Sequence, residues 1–127
     1  AAQFNLGVCL QNQGKYLPAA EEYEKLTAEL AAGRPAPPQL LRDQALLQRG
    51  QCLFAAARYV DAIPVLLAAE ATNDAAVLAD ARYGLGRCYQ FSNEPAKAKA
   101  CYLQVIAEHA GTEAAAKAKL ALAEIGG

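Results

Sequence analysis

Residues Leu6 to Tyr23 read LGVCLQNQGKYLPAAEEY, and the way this stretch recurs decides the fold. With Gly7 as origin, two further glycines, Gly50 and Gly86, are followed by the same residue types at the same distances. Two residues on stand Cys9, Cys52 and Cys88; three on, Leu10, Leu53 and Tyr89. Seven on come Gly14, Ala57 and Asn93, which suit a tight turn, and nine on Tyr16, Tyr59 and Pro95. Twelve on, all three are alanine, Ala19, Ala62 and Ala98; sixteen on stand Tyr23, Leu66 and Tyr102. In this register small residues at the Gly and Ala positions let two helices approach closely, and the large residues three and sixteen further on fill the space around the contact. One such hairpin cannot bury its own apolar face, whereas stacked copies bury each other's and leave a concave inner surface.

The rest of the chain agrees with helices throughout. Roughly a quarter of the residues are alanine, the best helix former, while β-branched residues are sparse and scattered. Punctuation at Gln13-Gly14-Lys15, Gly33 to Pro38, Ala57-Arg58, Thr72-Asn73-Asp74, Ser92-Asn93-Glu94-Pro95 and Ala110-Gly111-Thr112 divides the chain into seven helical segments. Pro18, Pro38 and Pro95 fall near helix starts, where a missing N–H is no loss, and Thr112 and Asn93 are expected N-caps. Pro64 is accommodated if its helix starts late, capped by Asp61, so that the proline lies in the first turn.

Leu6-Gly7 with Leu10, Gly14, Tyr16, Ala19 and Tyr23, and Leu85-Gly86 with Tyr89, Ala98 and Tyr102, resemble the tetratricopeptide repeat. The middle copy departs at Arg49, where that family prefers an apolar residue. The spacing departs as well: Gly7 to Gly50 is 43 residues and Gly50 to Gly86 is 36, against a family period of about 34. The first excess maps onto the Pro-rich stretch and a lengthened helix over Gln39 to Ala56. The resemblance implies an all-α fold, a right-handed superhelical solenoid of three hairpins plus a C-terminal helix. It would form one domain over 1–127, with repeats at about 1–32, 39–71 and 75–109 and a terminal or capping helix at 112–125. From Val105 through Glu113 into the Ala-rich helix with Leu120, Leu122 and Ile125, the chain is similar to bacterial cell-envelope repeat proteins such as the Tol-Pal-associated coordinator.

Composition narrows the function classes. Lys+Arg 12 against Asp+Glu 13 leaves no basic field to draw the protein to nucleic acid or anionic lipid. The longest apolar run, Ala62 to Ala69, stops at Glu70, too short for membrane insertion. With no Met and an opening inside a helical pattern, the chain is expected to be a piece of a larger protein, and cytoplasmic and periplasmic locations stay open. Cys9, Cys52, Cys88 and Cys101 form no C-x-x-C pair, so no metal or cofactor is expected; three share one repeat position and read as small fillers between helices. Equivalent positions in stacked repeats lie about 10 Å apart, too far for a disulfide. Cys88 and Cys101, on the two helices of one hairpin, remain open as a pair in an oxidising compartment. His109 is a lone histidine placed to favour a helix end, and Glu21-Glu22 and Asp74 with Asp80 read as solvated helix faces. With no phosphate loop, nucleophile elbow or triad, no enzyme is expected. Arg34-Pro35-Ala36-Pro37-Pro38 holds a P-x-x-P, read as an inter-helix linker.

The resemblance also selects a partner groove, since the first helix of each hairpin lines the concave side in that family. The register assigns Phe4, Val8, Gln11 and Asn12 from the first copy, Gln44, Leu47, Gln51 and Phe54 from the second, and Asp80, Tyr83, Arg87, Gln90 and Phe91 from the third. Phe4, Leu47 and Phe54 are alternatively part of the core. A mixture of aromatic and amide side chains suits a protein or peptide partner laid in a groove; self-assembly of the module is the alternative. The subclass that clamps a C-terminal carboxylate is not resembled, because Phe4, Val8, Asp80 and Gly84 occupy its Lys, Asn, Lys and Arg positions.

Overall fold

The computed structural model describes residues 2–31 and 39–125. These form seven helices: α1 Ala2–Asn12, α2 Tyr16–Ala31, α3 Gln39–Ala55, α4 Tyr59–Ala69, α5 Ala75–Phe91, α6 Pro95–Glu108 and α7 Glu113–Glu124. There is no strand among the described residues, and the chain is a helical solenoid of three hairpins followed by α7. The Pro-rich linker with its P-x-x-P and Pro38 lies outside the described residues.

One turn is used three times. Gly14, Ala57 and Asn93, seven residues beyond their respective glycines, all adopt the left-handed conformation, with φ of 77°, 62° and 66°. The next residue then donates back across the turn: Lys15 N–H to the Leu10 carbonyl at 2.9 Å, Arg58 to Leu53 at 2.8 Å and Glu94 to Tyr89 at 2.9 Å. A left-handed residue closed by this six-to-one bond is the Schellman helix end, which satisfies carbonyls the helix leaves free. Asn93 is thus a turn residue and not the expected N-cap; Glu94 takes the N-cap position of α6 without a side-chain bond, and Pro95 opens the helix. Thr112 does cap α7, accepting from Ala115 N–H at 3.1 Å. Asp74 caps α5 from Val77 N–H at 2.9 Å, a cap that sequence reasoning read only as a solvated acid.

Pro64 corrects a second expectation. α4 starts at Tyr59 with Arg58 at its N-cap, so Asp61 lies in the first turn and Pro64 is inside the helix. The carbonyl that Pro64 cannot serve belongs to Val60, a residue 72% exposed, so the lost donor falls on the solvent side of the helix.

Within each hairpin the glycine marks a contact too close for any side chain. A methyl built at Gly7, Gly50 or Gly86 would lie 2.7, 2.4 and 2.4 Å from Tyr23, Leu66 and Tyr102 respectively, the residues sixteen positions on. Ala19, Ala62 and Ala98 are fully buried beside these contacts. Between hairpins, α3 packs on α5 and α5 on α7, with α4 and α6 behind them. The first junction differs: α2 packs on α3, but α1 has no comparable packing on α3 among the described residues. The long first spacing, 43 residues against 36, therefore coincides with a change in how the repeats stack. Three core clusters result, one each for the first hairpin with α3, for α3–α5 and for α5–α7.

Candidate functional site

The equivalence of Tyr23, Leu66 and Tyr102 explains where the molecule is open. In the outer hairpins the buried tyrosine spans the gap, and its hydroxyl donates to a glutamine four residues beyond the glycine: Tyr23 to Gln11 Oε1 at 3.1 Å, Tyr102 to Gln90 Oε1 at 2.7 Å. The middle hairpin has Leu66 in place of the tyrosine and Phe54 in place of the glutamine. Leucine is shorter and needs no acceptor, so space remains above it. That space is a cleft of about 350 Å³ floored by Leu66. Gln51 and Phe54 of α3, Asp80, Tyr83, Gly84 and Arg87 of α5, and Glu113 and Lys117 of α7 surround it.

Five groove residues expected from sequence therefore come together: Gln51, Phe54, Asp80, Tyr83 and Arg87. Phe91 continues the surface; it is 48% exposed, stacks on Tyr59 with centroids 5.3 Å apart and meets Phe54 edge-on at 5.6 Å. The Arg87 guanidinium lies 4.9 Å above the Phe91 ring. Gln90 is turned to internal work: besides accepting from Tyr102, its Nε2 donates to Glu124 at 3.1 Å.

The other assignments separate. Leu47 is 4% exposed and belongs to the core between α3 and α5, so it is withdrawn from the groove; its register position faces the neighbouring hairpin. Gln44 is half-buried on α3, outside the cleft. Phe4 packs edge-to-face on Tyr23 at 5.4 Å, Val8 packs against the same core, and Gln11 serves the Tyr23 hydroxyl, while Asn12 is exposed at the end of α1. Because α1 does not stack on α3 as α5 does, these four do not extend the cleft. Sequence reasoning missed Glu113, Lys117 and the floor residue Leu66; α7 reads in the sequence as a terminal or capping helix, and only its Glu113 and Lys117 at four-residue spacing hint at a presented charged face.

The charges around the cleft are unevenly matched. Lys117 pairs with Glu113 at 3.4 Å and Arg87 with Glu124 at 3.1 Å. Burial works against the Arg87 charge, but Tyr83, Glu124 and Tyr102 outweigh it and raise the guanidinium further; hydrogen bonds from Gln90 and Arg87 hold the Glu124 carboxyl below its usual range. Among the described residues Asp80 makes no ion pair within 4 Å. Its surface meets water, yet the cleft wall removes enough solvent to push its carboxyl upward, with Lys117 opposing and Glu113 adding to the shift.

The remaining candidates are accounted for by packing. Arg82, largely covered, holds Glu70 at 3.3 Å and Glu108 at 3.4 Å and thereby ties α4, α5 and α6 together. His109 stands at the C-terminal cap of α6 with Nε2 3.0 Å from Arg82 Nη1; a guanidinium only donates, so Nε2 accepts. All four cysteines are free. Cys52 and Cys88 are buried fillers as expected, and burial pushes their thiols up to about 11 and about 12, so they stay protonated. Cys9 is exposed instead, on a face of α1 that no described helix covers. Among the described residues, no helix is long and apolar enough to cross a membrane and no cluster of His, Cys, Asp and Glu could hold a metal ion.

The family model described as Tetratricopeptide repeat matches residues 1–29 and 80–112, the first hairpin and most of the third. Comparison with curated proteins and with solved structures gives no match, so nothing there bears on the similarity to cell-envelope repeat proteins. The tetratricopeptide-repeat matches thus fall on the two outer hairpins, and the middle hairpin between them is unmatched. Repeats of this kind generally mediate protein–protein interactions and are typically non-enzymatic.

Proposed function

We propose, from the premise that the outer hairpins are tetratricopeptide repeats, that this chain is an interaction module whose cleft between α3, α5 and α7 receives a peptide or helix of a partner protein. The observation that carries the reading is the convergence of Gln51, Phe54, Tyr83 and Arg87, from two separate helices, on one opening over Leu66. Aromatic walls supply contact area with few rotatable bonds, and the amide and guanidinium supply directed hydrogen bonds, the mixture found where proteins grip extended chains. The Phe54, Tyr59 and Phe91 cluster prolongs the apolar surface beyond the cleft.

The test begins from peptides selected on the purified protein from a random display library. Substituting Phe54→Ala together with Tyr83→Ala is expected to weaken a selected peptide by about tenfold or more, since each removes an aromatic anchor worth at least ~1 kcal/mol. Unchanged binding by the double variant, with its helical content intact, defeats the groove assignment. A stable dimer in light scattering, blocking the same peptides, moves the reading to self-assembly.

A further inference from the structure

We infer that the cleft takes a lysine or arginine side chain of the partner, its methylenes held between Phe54 and Tyr83 and its cation at Asp80; this rests on the groove reading above. Three observations lead there. The first is charge: of the ionisable groups lining the cleft, Arg87 and Lys117 are each engaged by a carboxylate, Glu124 and Glu113, while Asp80 has no ion pair among the described residues. The cleft with its rim therefore carries three carboxylates against two cations, and an incoming positive charge completes the set. The second is shape: Leu66, in place of the tyrosine of the outer hairpins, leaves an opening lined on either side by Phe54 and Tyr83, and Gly84 adds no side chain beside Leu66. Long basic side chains are the common ones that line apolar walls with methylenes and present a charge at the tip. The third is electrostatic: burial disfavours the charged form of Asp80, so a bound cation relieves a cost present in the empty cleft. An acidic side chain would instead face Asp80 and Glu113, and a purely apolar one would leave Asp80 desolvated without a partner.

The experiment titrates ¹⁵N-labelled protein with Nα-acetyl-arginine N-methylamide and with its uncharged isostere, Nα-acetyl-citrulline N-methylamide. The arginine compound is expected to shift the amides of residues 51, 54, 80, 83, 84 and 117 with an affinity roughly fivefold above that of the citrulline compound. Asp80→Asn is expected to abolish that preference, and Lys117→Ala, which removes the cation nearby while leaving Phe54 and Tyr83 in place, to increase it. Equal binding of the two compounds, a preference that survives Asp80→Asn, or one that falls in Lys117→Ala overturns the inference. If both compounds shift the cleft equally, the groove stands and only the basic occupant falls. If neither shifts it while library-selected peptides bind another face, the groove reading falls with it.

Discussion

At the scale of single residues, the three hairpin turns are the same device built from unlike residues. Gly14 adopts a left-handed φ at no cost, asparagine at little, and alanine at roughly 1 kcal/mol or more, because its Cβ crowds the following carbonyl. Ala57→Gly is therefore expected to stabilise the fold by about 1 kcal/mol, less the extra entropy glycine brings to the unfolded chain, which thermal unfolding reads as a rise of a few degrees. A fall in stability would mean that the turn is not left-handed at residue 57. Asp80 gives the second residue-scale prediction. Its carboxyl binds a proton more tightly in the folded chain than in the unfolded one, so folding loses stability as pH rises through the interval between the ordinary carboxylate value and the raised one. Asp80→Asn should raise the melting temperature at pH 7, and the gain should disappear at pH below both values, where the aspartate is neutral in either state. A lower melting temperature for the variant at pH 7 would show that the carboxylate is already paired. A residue that destabilises the free protein while favouring a ligand is what a binding site predicts.

At the scale of helices, the glycine and the large residue sixteen positions on set how closely each pair packs. Tyr102 is fully buried and held by Gln90, so it has no room to retreat from a methyl built at Gly86. Gly86→Ala is expected to cost about 1–3 kcal/mol in denaturant unfolding despite alanine's better helix propensity. A neutral or stabilising result would mean that the hairpin can open to admit it. This contact was legible in the sequence, because Gly7, Gly50 and Gly86 share one register with Tyr23, Leu66 and Tyr102, and a register fixes which faces meet. The turn positions were legible for the same reason. Helix starts were less so. Asn93 and Asp74 both suit an N-cap, and only the backbone path decides that one turns left-handed and the other caps. Pro64 misled because proline is placed by its neighbours' exposure, which a linear pattern does not carry.

At the scale of the whole molecule, the register pointed to α3 and α5, which wall the cleft, but also to α1, which does not reach it, and it left out α7, which does. Leu47 and Phe54, seven residues apart on α3, diverge: one is sealed by the neighbouring hairpin and the other walls the cleft. Phe4, Val8 and Gln11 were assigned by the register of the family resemblance, yet the altered stacking at the first junction keeps them with their own hairpin. The opening itself follows from one substitution within the repeat, Leu66 for tyrosine, visible in the sequence but meaningful only once the Tyr–Gln hydrogen bonds of the outer hairpins are seen. The central claim is that this opening, between α3, α5 and α7, is where a partner chain is held. Amide chemical-shift mapping of a library-selected peptide on the labelled protein tests it most directly. Perturbations are expected to cluster on residues 51, 54, 80, 83, 87, 113 and 117; a cluster confined to the outward faces of α4 and α6, with those residues unmoved, would contradict it.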